Sequence, residues 1–160
     1  NHTKYLAGLA AIELAVPVVR EFKDARLGGP FQKTLAAKKK KMEKALDLFA
    51  QLAEYGIAEV TAAATYHIAG IYYEFSRDLL QSEKPKNLSE EELAQYDLLL
   101  EEQAYPFEEK AIGIHEKNVE LLSVGVYNEW IDKSLSELAK LFPVRYAKSE
   151  QGETFVASIY

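Results

Sequence analysis

One glycine, Gly56, is the only break between two long apolar stripes of helical period. Phe31, Leu35, Met42, Ala45, Phe49 and Leu52 recur through 31–55. Ala62, Tyr66, Ala69, Tyr73 and Leu80 recur through 57–81. Residues three and four apart share one helical face, so each stretch reads as a long amphipathic helix. Glycine is a natural stop at a helix C-terminus. A break of one or two residues forces the second helix to return along the first, which gives a tight antiparallel hairpin.

The flanking segments follow the same pattern. Leu9, Ile12, Val16 and Val19 stripe a first helix over 4–23, in which Pro17 is expected to cause a kink or a weak point. Gly28-Gly29-Pro30 ends it, with Pro30 suited to the first turn of the next helix. The polar stretch 82–88 reads as a loop, and Ser89 with Glu92 three positions later is a capping box. A fourth helix over 90–122 keeps Leu93, Tyr96, Leu100, Ala104, Phe107, Ala111, Ile114 and Leu121 in phase across Pro106. That phase predicts one kinked helix, or two nearly collinear ones. A fifth, over 127–142, turns Trp130, Leu135, Leu138 and Leu141 inward and stops at Pro143. Long hairpins in series make an all-α fold, either a stacked array or an up-down bundle. The domain is placed at 1–150, with 151–160, which contains the β-prone run TFVASIY, as a C-terminal tail.

Composition narrows the function. At 160 residues and 48% hydrophobic the chain suits one packed domain, burying roughly two thirds of its unfolded surface. A net charge of −6 argues against nucleic acid as a partner. The absence of cysteine removes disulfides, thiolate zinc sites and thiol nucleophiles. The richest apolar stretch, Tyr5 to Val19, is broken by Glu13 and Pro17, and no run approaches the ~20 residues of a membrane span. The chain begins at Asn1, and its one methionine is Met42. It is therefore read as a processed product or an excised piece, in which a signal peptide or lipid anchor would fall outside view.

Catalytic patterns are missing. Di-iron bundles use Glu-x-x-His pairs, but Ala64 and Ile112 stand three residues before His67 and His115. The run from His115 to Asn118 lacks the second histidine of a zinc-protease helix. Glu108, Glu109, Glu116 and Glu120 alternate with Lys110 and Lys117, as on a solvated face. Lys38 to Lys41 cover most of a helix circumference, so they cannot all face one ligand; Lys38 is placed to snorkel over the apolar stripe. Gly28-Gly29-Pro30 lacks the Lys-Ser/Thr of a phosphate loop, and no Gly-x-Ser-x-Gly elbow occurs. No catalytic residue, cofactor or metal ligand is expected.

The run YHIAGIYY carries a more specific pattern. Tyr66, Ala69, Gly70 and Tyr73 set a small pair between two large rings, where a second helix could approach closely. This resembles the first helix of a tetratricopeptide repeat (TPR), a helical hairpin that stacks into protein-binding arrays. Ala45, Phe49 and Leu52 before it resemble the second-helix pattern of such a repeat. The array is degenerate: tyrosine stands where tryptophan is usual, the loop after Gln81 is long, and no clean third unit follows. The stretch from Tyr96 to Lys148 is similar to the C-terminal region of TPR proteins of the Gram-negative envelope, of the kind linked to gliding motility and TonB/Tol-type transport.

The resemblance implies a periplasmic or outer-membrane-associated, non-enzymatic scaffold for protein partners. In such arrays the first helices line a groove. Carried over to this chain, the groove face holds His67, Ile71, Glu74 and Asp78, spaced four, three and four apart. Two other readings stay open: a helical-bundle enzyme or small-ligand or metal binder, and a homodimer formed by the end helices.

Overall fold

The structure, a computed structural model, describes residues 2–147. Its elements are α1 (His2–Asp24), α2 (Phe31–Ala53), α3 (Ala58–Leu80), α4 (Glu90–Glu120), a 3₁₀ turn (Leu121–Val124), α5 (Glu129–Leu141) and α6 (Pro143–Tyr146). Among the described residues there is no strand. The fold is all-α. The expected tail at 151–160 lies outside the described residues.

Each junction has a local cause. Gly56 takes a left-handed φ of 73°, which a side chain would disfavour, and the Thr61 hydroxyl donates to Ala53 O at 2.8 Å to close the α2–α3 turn. Ser89 caps α4: Glu92 N–H donates to its Oγ and the Glu92 carboxylate accepts from Ser89 N–H at 2.8 Å. Asn128 Oδ1 accepts from Trp130 and Ile131 N–H, both at 3.1 Å, and starts α5. Gly125, at φ 79°, ends the 3₁₀ turn. Neither Pro17 nor Pro106 interrupts its helix. Both lie on exposed faces, where the carbonyl left without a donor can be hydrated. Pro143 both ends α5 and opens α6.

Successive helices pack as antiparallel neighbours, and the first, third and fifth also pack side by side. α2 and α4 both lie on α3 but do not pack along one another. α3 is therefore the central element. Its Val60, Ala63, Ala64, Ile71, Phe75 and Leu79 join Ile12, Ala15 and Phe22 of α1 and Met42, Ala45, Phe49 and Leu52 of α2 in one core. Leu79, rather than the expected Leu80, is buried; Leu80 is 39% exposed on the outer side of the same turn.

The closest helix approach is not where the small pair predicts it. A Cβ on Gly70 would meet nothing within 4 Å. A Cβ on Gly8 would lie 2.6 Å from Val60 Cγ2 and 3.3 Å from the Tyr55 ring. Gly8 is thus what lets α1 settle against α3, while Ala69 alone of the small pair is fully covered. The Tyr5 hydroxyl, donating to the Glu59 carboxylate at 2.9 Å, ties the same two helices near their N-termini.

Candidate protein-interaction face

Side-by-side packing of α1, α3 and α5 makes a continuous face with His67 near its middle. The imidazole stacks on Phe49 (centroids 4.9 Å apart) and lies 5.3 Å from Trp130. Tyr66, next in the chain, places its ring 5.6 Å from both Trp130 and His115. Four helices thus contribute rings to one cluster. Burial drives the His67 pKa down to about 4, and the nearby Lys23 and Lys133 charges push the same way. The ring is neutral at pH 7.

Two cationic walls flank it. On one side a cleft of about 250 Å³ runs between α1 and α3, lined by Val16, Val19, Arg20, Lys23, Asp24 and His67. On the other, the Lys133 ammonium sits over the Trp130 ring, 4.0 Å from its centroid, and pairs with Glu129. Arg20 and Lys23 are exposed and have no carboxylate partner within ion-pair distance among the described residues.

A buried polar cluster lies beneath. Asn118 Nδ2 donates to Ser134 Oγ at 2.9 Å, to Ala62 O at 3.1 Å and to Trp130 O at 3.4 Å. Ser134 Oγ is 3.1 Å from His115 Nδ1. With the hydroxyl donating to Nδ1, the neutral ring keeps its proton on Nε2. Burial holds the His115 pKa at about 4, against a small opposing pull from Glu137. A serine beside a histidine has the outline of a nucleophile and its base. Here Ser134 is 0% and His115 2% exposed, so a substrate would reach the hydroxyl only by unpacking α5. What the pair does in this geometry is join α4 to α5.

The four residues expected on the groove face do not share one environment. His67 borders the α1–α3 cleft. Glu74 is half-buried and pairs with Arg77 one turn on. Ile71 is 1% exposed and belongs to the core. Asp78 turns toward α2 and pairs with Lys38. Ile71 and Asp78 leave the face because each is taken up by packing against neighbouring helices, Ile71 in the shared core with α1 and α2 and Asp78 against Lys38 of α2. Sequence reasoning missed the walls from other helices: Arg20 and Lys23 on α1, Trp130 and Lys133 on α5. The one signal for them was Trp130, the single tryptophan, one turn before a lysine.

No group of three His, Asp or Glu side chains gathers as a metal site among the described residues, and no helix is long and apolar enough to cross a membrane. No family model, curated protein or solved structure matches this chain.

Proposed function

We propose that this chain is a non-enzymatic protein-interaction scaffold whose partner lies along the α1–α3–α5 face. The observation that carries the reading is the side-by-side packing of the first, third and fifth helices. It lines up three helices where an unrelated bundle would bury them around a common axis. The aromatic cluster at its middle draws rings from four helices, and rings of this kind serve as anchors at interfaces. The charges at its edges suit a partner segment that carries carboxylates, since Arg20 and Lys23 have no carboxylate partner among the described residues. The resemblance to envelope TPR proteins adds a location to the proposal: periplasmic or outer-membrane-associated, in a motility or TonB/Tol-type assembly.

The test is affinity capture from an envelope fraction with the wild-type chain, an Arg20→Glu/Lys23→Glu variant and a Lys40→Glu control on α2. The expected result is a defined set of proteins retained by wild type and control and lost with the double variant. Equal retention by all three would overturn the face. Recovery of the native protein from the cytosol alone would overturn the location.

A further inference from the structure

A second concave site lies on the opposite side of α3. Because α2 and α4 rest on α3 without packing on each other, a groove of about 310 Å³ opens between them. Its floor is Phe75, Leu79 and Leu100, each at most 5% exposed. Phe31 and Leu35 form the α2 wall and Phe107 anchors the α4 wall. Phe107 meets Phe75 edge-to-face at 4.6 Å, which sets the floor and one wall rigidly together. Polar side chains enter only at the rim: Gln32, Lys39 and Gln103, with the Tyr96 hydroxyl.

The sequence carries the same feature. The buried stripe of α2 runs through Met42, Ala45 and Phe49, but Phe31, Leu35 and Lys39 form a second line, four apart, that leaves this stripe. On α4, Tyr96, Leu99, Leu100, Gln103 and Phe107 share one face at helical spacing. These two lines face each other across Phe75 and Leu79 of α3. Leu99 remains 51% exposed at the opening.

We propose that this groove binds a medium-chain fatty carboxylate, with the acyl chain over Phe75 and Leu79 and the carboxylate at Lys39. Three features select this class. The volume falls at the lower end of small-molecule sites, which begin near about 300 Å³. Lys39 is the only charged side chain in the lining, and it has no carboxylate partner among the described residues. An anionic head is therefore favoured over a cationic or neutral one. Sugars and nucleotides would leave most of their polar groups unpaired against these walls.

The experiment is isothermal titration of the purified chain with decanoate, decanol and decyltrimethylammonium. Decanoate is expected to bind one molecule per chain, with decyltrimethylammonium weaker. Lys39→Met is expected to weaken decanoate by about fivefold, the reach of a partly exposed ion pair, and to leave decanol unchanged. Gln103→Trp, which fills the mouth, is expected to abolish binding of decanoate and decanol. Gln32→Trp does the same from the other wall, so one misfolded variant leaves the test intact; circular dichroism checks the fold of each. The proposal is overturned if the folded wild type takes up no decanoate at about 1 mM. It is also overturned if head-group charge makes no difference, or if the Trp variants bind as wild type does. A mass shift in solution that the Trp variants alone abolish would assign the groove to a second copy instead.

Discussion

The Lys38 ammonium lies 2.6 Å from the Asp78 carboxylate, with Lys38 only 1% exposed. It donates to Phe22 O in the last turn of α1 at 3.0 Å and to Ala25 O just beyond that helix at 2.6 Å, and it sits 4.6 Å from the centroid of the Phe22 ring. One cation therefore satisfies the C-terminus of α1, where the helix dipole favours positive charge, from α2, and is neutralised by α3.

Removing one partner of such a pair leaves a buried charge or buried carbonyls unsatisfied. Lys38→Ala is expected to cost about 3 kcal/mol. Lys40→Ala, two positions on in the same lysine run, should leave stability unchanged. Urea unfolding of the two variants against wild type makes the comparison, and equal midpoints would refute the assignment.

Two glycines on neighbouring helices should respond in opposite directions to alanine. At Gly8 the new Cβ collides with buried Val60, and overpacking is expected to cost about 1–3 kcal/mol. At Gly70 the Cβ enters open space, and alanine should stabilise α3 by up to about 1 kcal/mol. Thermal unfolding of both variants gives the sign of each. Destabilisation by Gly70→Ala would restore the close approach expected there from the small pair.

The half-buried His67 and the buried His115 link stability to pH. His67 and His115 have folded pKa values of about 4, below the ordinary value of 6.5. Between those values the unfolded chain binds protons that the folded chain does not. Their contribution is complete above pH 6.5, falls as pH drops toward 4, and levels off below it. Within that window each ring weakens the fold by up to about 1.4 kcal/mol per pH unit. Denaturation at pH 7 and pH 5 measures the drop, and His115→Phe should make it shallower. An unchanged slope in that variant would mean that His115 titrates alike in the folded and unfolded chain.

Asn118 pins α5 to α3 and α4 through a single amide. Asn118→Leu keeps the bulk but leaves Ala62 O and Trp130 O without this donor, at an expected cost of about 2 kcal/mol. Because Trp130 is the only tryptophan, its fluorescence reports whether α5 stays docked. An earlier fluorescence transition than the circular dichroism transition in this variant is the expected signature. Coincident, unshifted transitions would show the amide to be dispensable.

Helix positions were largely legible because they depend on neighbours in the chain. The capping box at Ser89, the stop at Gly56 and the Met42 to Leu52 part of the α2 stripe each follow from local spacing, and each stands where spacing put it, while Phe31 and Leu35 of that stripe turn to the groove. The candidate face was legible in one helix only. His67 could be found from the repeat-like run on α3, but the groove it borders needs residues from α1 and α5. Asp78 and Lys38, forty residues apart, gave no sign of each other; one read as a groove residue and the other as a lysine placed to snorkel over the apolar stripe.

The amino-acid order by itself determined that this chain is a series of long helices turned back by glycine, proline and capped loops. Those choices rest on backbone conformations and hydrogen bonds within a few residues. Only the tertiary structure decided that α3 is central, that Gly8 rather than Gly70 admits a neighbour, and that α2 and α4 part to leave a groove. Such outcomes depend on how whole side-chain surfaces fit. A helix stripe says which face is buried, and the shapes of two stripes together say how closely they meet.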